Sequence, residues 1–115
     1  MNFEKTIYAL SSGSLPSAIA VIRISGKRAK RVLSLLVGHV PRERELELVK
    51  IKDFDTNEVL DHALATFFAA RRSPTGEDMA ELHVHGSQAV VQDLFTVLAK
   101  IEGLRPAEPG EFTKR

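Results

Sequence analysis

Apolar positions fall into short dense runs separated by turn-forming residues, and the period within each run names its element. Ile7, Tyr8 and Ala9 centre a short strand over residues 4–10. Ser11-Ser12-Gly13-Ser14-Leu15-Pro16 has the composition of a loop. Ala18 to Ile24 is a dense apolar run rich in β-branched residues, which favours a buried strand. The period then becomes helical from about Lys27 to Val37, where Ala29, Val32, Leu33 and Leu36 form one stripe. Ser25 is placed to cap this helix and Gly38 to stop it. Residues 45–54 and 58–69 read as two strands of a hairpin, with Asp55-Thr56-Asn57 as the turn. A polar loop from Arg71 to Asp78 precedes a strand from Met79 to His85. Gly86 and Ser87 lead into a second helix to about Ile101, with Val90, Val91, Leu94, Leu98 and Ile101 at helical spacing. Gly103 ends that helix, and Leu104 to Glu108 forms a final strand. Pro109-Gly110 turns into Glu111-Phe112-Thr113-Lys114-Arg115, which is expected to open a further helix; one turn is not stable by itself. Mixed strands with two main helices predict an α+β fold, a mixed β-sheet with the helices packed on it.

Side chains alternate across a strand, so this pattern also sorts candidate chemistry onto faces. Along 79–85, Ala80, Leu82 and Val84 suit a core, while Met79, Glu81, His83 and His85 share the opposite face. Along 18–24, Ile19, Val21 and Arg23 share a face, which puts a guanidinium at the end of an apolar row. A half-buried arginine needs a carboxylate or an anionic ligand. His83 and His85 form an H-x-H pair, but a metal site takes three or four ligands; with His39 in a loop and His62 on another strand, a solvent-facing or cleft-lining pair is the better reading and no metal site is assigned. Thr75-Gly76-Glu77-Asp78 is an acidic turn that suits either a ligand held through backbone N–H groups or a plain connector. Lys27, Arg28, Lys30 and Arg31 cluster on the first helix, where a solvated face is favoured over a phosphate-contacting patch.

Composition narrows the picture modestly. The 115 residues make one domain spanning 1–115, and a formal net charge of +1 gives no electrostatic case for nucleic-acid binding. The absence of cysteine excludes disulfides, thiolate metal sites and a cysteine nucleophile. No apolar run is long enough to span a membrane and the opening segment lacks a signal peptide's apolar stretch, so a cytoplasmic protein without membrane association is expected. There is no G-x-x-x-x-G-K-[ST] phosphate loop, no G-x-G-x-x-G and no G-x-S-x-G, and no catalytic residue is assigned.

Three stretches taken in order carry a resemblance. They are Ala-Ile-Ala-Val-Ile-Arg-Ile-Ser-Gly over 18–26, Thr-Gly-Glu-Asp-Met-Ala-Glu-Leu-His-Val-His-Gly over 75–86, and Leu-Arg-Pro-Ala-Glu-Pro-Gly-Glu-Phe-Thr-Lys-Arg over 104–115. Together they resemble the N-terminal domain of the MnmE/TrmE family of tRNA uridine modification GTPases, across nearly the whole chain. The resemblance implies a folate-binding and dimerisation domain, similar to the folate-binding part of aminomethyltransferases. It implies a 5-formyl-tetrahydrofolate-type cofactor, a homodimer, and a full-length protein with a helical domain carrying an inserted GTPase. GTP, potassium and magnesium would belong to that GTPase domain, which this chain lacks. With the FAD-dependent partner MnmG, the full-length protein would place an aminomethyl-type group on the wobble uridine of tRNA, the folate supplying the one-carbon unit. Two folate contacts carry over, onto Arg23 and Glu81. A third, a lysine in the family's Ala-Phe-Leu-Asn-x-Lys motif, falls beyond Arg115. The loop reads Ser-Gly-Ser-Leu-Pro where the family has Pro-Pro-Gly-Arg-Gly, and Gly26-Lys27 stands where Gly-Pro is frequent. Chemistry of the residues agrees: a pterin presents adjacent N–H donors that one carboxylate can accept, and a strand holds Glu81 rigidly for this. Such a domain would not be an enzyme alone. A stand-alone folate-dependent one-carbon transferase and a basic-helix tRNA-binding module are the competing readings.

Overall fold

Ala20, Ile22 and Ile24 alternate with Ile19, Val21 and Arg23 along strand β2 (Ile19–Ser25), and burial follows the alternation. The same division runs through β5 (Met79–His85), where Ala80, Leu82 and Val84 are buried on the core side. A computed structural model describes residues 4–115; Met1, Asn2 and Phe3 of the opening segment lie outside the described residues. The remaining elements are β1 (Thr6–Leu10), α1 (Ala29–Val37), β3 (Glu47–Lys52), β4 (Val59–Phe68), α2 (Gln88–Ala99), β6 (Leu104–Pro106) and a terminal turn of helix, α3 (Glu111–Lys114). The strands form one mixed six-stranded sheet in the order β3-β4-β5-β2-β1-β6. Every pairing is antiparallel except β1 with β6. The fold is α+β, as the hydrophobic pattern predicts.

Helices α1 and α2 lie on one face of the sheet. Their buried side chains, Ala29, Val32, Leu33 and Leu36 from α1 and Val91, Leu94, Val97 and Leu98 from α2, join the core residues of β2, β3, β4 and β5 in a single cluster. Each fully buried valine or leucine contributes about 1.5–3 kcal/mol relative to exposure, so this face dominates stability. The opposite face has no long helix over it among the described residues, and it holds the candidate chemistry.

Several boundaries differ from the sequence expectation. Glu4 and Lys5 form a turn, and β1 begins at Thr6. Ser25 does not cap α1: the helix starts at Ala29 after Arg28, with no side-chain cap, and Ser25 is the last residue of β2. The Ser25 hydroxyl is instead buried against Thr75 Oγ1 at 2.7 Å and donates to Glu77 Oε1 at 2.9 Å. The backbone N–H of Arg28 finds Thr6 Oγ1 at 3.0 Å, so a strand residue does part of the capping. The hairpin turn is longer than Asp55–Asn57: Asp53 N–H donates to the Glu58 carbonyl, and Asn57 takes a left-handed φ of 63°. The polar loop opens with a 3-10 turn at Ala70–Arg72. Helix α2 is capped by Ser87, whose hydroxyl accepts from Val90 N–H, and ends at Ala99, with Ile101 buried in the turn that follows. The final strand ends at Pro106.

Two glycines hold the frame at close approaches. At Gly26, with φ 142°, a Cβ would lie 2.7 Å from the Thr6 backbone. At Gly86 a Cβ would lie 2.2 Å from the carbonyl oxygen of Ser17, to whose N–H Gly86 accepts at 2.9 Å. Both positions sit at the ends of the strands that carry Arg23 and Glu81.

Candidate functional site

Cross-strand register turns the open face of the sheet into rows of side chains. Ile7, Ser25, Met79 and Phe68 form the first row. Ala9, Arg23, Glu81 and Thr66 form the second. Val21, His83, Leu64 and Leu48 form the third. Ile19 pairs with His85 and Lys50 with His62; carrying the β4–β5 register two residues past Leu64–His83 sets His62 beside His85 in a fourth. Ile7, Ser25 and Met79 in the first row are fully buried.

The second row holds the two residues singled out from the sequence, and it brings them together. Arg23 Nε donates to Glu81 Oε2 at 2.8 Å. The other carboxylate oxygen, Oε1, lies 3.1 Å from His83 Nε2. Glu81 is thus braced from both sides, with its side chain 13% exposed. Arg23 is 41% exposed, and among the described residues its two terminal nitrogens have no hydrogen-bond partner. Each oxygen of Glu81 has one partner and retains acceptor capacity. An acceptor edge and a fork of unused donors therefore stand side by side, with the small side chain of Ala9 next to them. A planar ligand with adjacent donor and acceptor groups fits that combination.

Other expected features behave differently. His85 lines the same cleft as His83 but has a different partner: its Nδ1 lies 2.7 Å from Asp61 Oδ1, and its backbone N–H donates to Asp61 Oδ2 at 2.8 Å. No group of three or more metal-ligating side chains occurs among the described residues. The turn over 75–78 is committed to internal bonds: Asp78 Oδ1 accepts from Ala70 N–H, and Glu77 receives Arg115 Nη1 at 2.9 Å as well as Ser25. The basic cluster is divided. Lys27 and Arg28 precede α1; Lys27, Lys30 and Arg31 are exposed, Lys30 lying 5.5 Å from the Phe67 ring centre, while Arg28 Nε packs where a Cβ on Gly103 would fall.

A family model described as the N-terminus of the GTP-binding protein TrmE matches residues 6–115. The chain belongs to the TrmE N-terminal family. Among curated relatives of this family, a tRNA modification GTPase MnmE of Chelativorans sp. (strain BNC1) is 56% identical over 96% of the chain and 25% of its own length. The tRNA modification GTPase MnmE of Rhodopseudomonas palustris (strain HaA2) is 50% identical over 97% of the chain and 24% of its own length. That of Pelagibacter ubique (strain HTCC1062) is 47% identical over 95% of the chain. The chain thus spans about a quarter of the length of the curated relatives it matches. Within this TrmE N-terminal domain, sequence reasoning missed the bracing of Glu81 by His83, the Asp61–His85 pair and the role of Arg115. The i,i+4 spacing of Glu111 and Arg115 is a local signal for their contact. No local spacing announces Asp61–His85, which are 24 residues apart on neighbouring strands.

Proposed function

We propose that this domain binds a 5-formyl-tetrahydrofolate-type cofactor at Arg23 and Glu81, forms a homodimer, and serves a larger GTPase that modifies the wobble uridine of tRNA together with MnmG. The observation that carries the folate reading is the Arg23–Glu81 pair: a rigid, braced carboxylate beside a guanidinium with unused donors. Glu81 accepts the adjacent N–H groups of the pterin edge, and the outer nitrogens of Arg23 meet its carbonyl side or an anionic group. The names of the curated relatives support the wider role, since they are tRNA modification GTPases. Exposed Ile19, Leu46, Leu48 and Val59 are apolar surface that a second copy can cover in part.

The test is calorimetric titration of the protein with 5-formyl-tetrahydrofolate. Glu81→Ala and Arg23→Ala are each expected to weaken binding by about 2–3 kcal/mol, the cost of losing a charge-assisted bidentate contact. Full binding by both variants overturns the site. Light scattering at high protein concentration tests the homodimer, and a persistent monomer counts against it.

A further inference from the structure

The charges of the chain are sorted to opposite ends of the sheet. Ser25, Met79 and Phe68 share the first row, so the turns that leave β2 and β4 start side by side at one end. One turn carries Lys27 and leads into α1, with Lys30 and Arg31; the other is the 3-10 turn Ala70–Arg72, with Arg71 and Arg72. Asp78 ties the two turns together: its carbonyl accepts Gly26 N–H and its carboxylate accepts Ala70 N–H, both at 2.9 Å. Lys27 and Ala70 border one cavity of about 270 Å³, and Lys30 Nζ lies 5.5 Å from the ring centre of Phe67, three residues before Ala70. All five cationic residues are exposed. Among the described residues, Lys27 is the one of the five with a carboxylate partner, Glu4 at 3.7 Å. Of the carboxylates beside them, Glu77 is paired with Arg115 and Asp78 is held by the Ala70 N–H.

A formal net charge of +1 conceals this arrangement, because acidic groups gather at the other end. Asp53, Glu58 and Asp93 line a cavity beside the tip of the β3–β4 hairpin, where Asp55 is exposed and Lys100 answers Asp53 and Asp55. The two ends are separated by the length of β4, about 30 Å at the rise of a strand. Counterions screen charge beyond about 8–10 Å at physiological ionic strength, so the acidic end does not cancel the basic one. We propose that the basic end is a contact surface for the phosphate backbone of RNA. Arg31, Arg71 and Arg72 present planar forks that match phosphate oxygens, and cations on two turns pinned to one residue suit a chain of phosphates better than a single anion. The exposed large hydrophobic residues, Ile19, Leu46, Leu48 and Val59, all lie outside these turns. The surface therefore lacks the apolar anchor of a membrane-binding face and the apolar centre of a protein interface. Its contacts position RNA without reading bases, and they use neither Arg23 nor Glu81, so the surface is independent of the folate reading.

The experiment follows the fluorescence anisotropy of a labelled tRNA transcript titrated with the protein, at salt concentrations from about 50 to 200 mM. Circular dichroism checks that each variant is folded. Wild type is expected to bind and to lose affinity as salt rises, with a log–log slope of about −3 to −4, the value for four or so phosphate contacts. Arg71→Ala/Arg72→Ala is expected to weaken binding about tenfold at the lowest salt and to make the slope shallower by about 1 to 2, and Lys30→Ala/Arg31→Ala to do the same. Lys50→Ala/Lys52→Ala removes equal charge from β3, outside the patch, and is expected to change neither affinity nor slope. Glu81→Ala is expected to bind RNA as wild type does, whatever its effect on folate. Wild type without salt-dependent binding overturns the inference. So does an equal loss in the β3 variant, which would make net charge the cause. Binding to phosphatidylserine vesicles but not to the transcript, abolished by Arg71→Ala/Arg72→Ala, would make the surface a membrane contact and overturn it as well.

Discussion

Two arginine–carboxylate clusters share the open face of the sheet. One gathers Glu111, Arg105, Arg115 and Glu77 where α3 folds back over β1 and β6; the other is Arg23, Glu81 and His83. In the first, Arg105 grips both oxygens of Glu111 at 2.7 and 2.6 Å, Glu108 N–H donates to Oε1 at 2.9 Å, and Arg115 Nη2 reaches Oε2 at 3.2 Å. Arg115 also bonds Glu77 and the Lys5 carbonyl, and the side chains of Glu111 and Arg115 are almost wholly buried. In the second, each oxygen of Glu81 has one partner and Arg23 is 41% exposed. The chemistry is the same and the degree of closure differs. A saturated carboxylate can only hold the chain together. A braced but unsaturated one, beside open donors, can take a ligand.

This contrast breaks or stands on stability first. Glu111→Ala leaves Arg105 and Arg115 without their shared buried partner and is expected to cost about 3 kcal/mol, read from the midpoint of urea unfolding. A cost near zero would place the two clusters in the same class. A second consequence concerns pH. The Arg105 hydrogen bonds, helped by the Glu108 N–H and the charge of Arg115, hold the Glu111 carboxyl down at about 2 against the opposing effect of burial. A carboxyl depressed on folding contributes its full stability above its unfolded pKa, about 4.3, and loses it as pH falls through the folded value. Stability is therefore expected to decline from about pH 5 toward pH 2, and Glu111→Gln should flatten that slope in acid unfolding curves. The smallest effect is expected at the other cluster. Glu81→Ala should change unfolding free energy by less than about 1 kcal/mol, because the exposed Arg23 rehydrates. Its consequence belongs in ligand affinity, and a large loss of stability would make Glu81 structural.

Fold class was legible because it follows from local period. The alternation of Met79–His85 placed β5 at its observed bounds, and the α1 stripe named the four side chains that are buried. The misplacements have a common cause. Ser25 has the right chemistry for a helix cap, but Thr75, 50 residues later in the chain, competes for its hydroxyl and wins because both are buried together. The turn over 75–78 looked equally suited to a ligand or a connector; its side chains proved to be held by Ala70, Ser25 and Arg115.

Which side chains share a face follows from residue order alone, since a strand's two-residue alternation depends on nothing distant. That order puts Glu81 with His83 and Arg23 with Ile19 and Val21. Long-range packing sets Arg23 opposite Glu81, 58 residues away, and lets His83 complete the brace. It also decided that the similar Glu111 is closed off. Strand register and the docking of α3 set those outcomes, and both arise from packing across the whole sheet, where no short window of sequence carries the information.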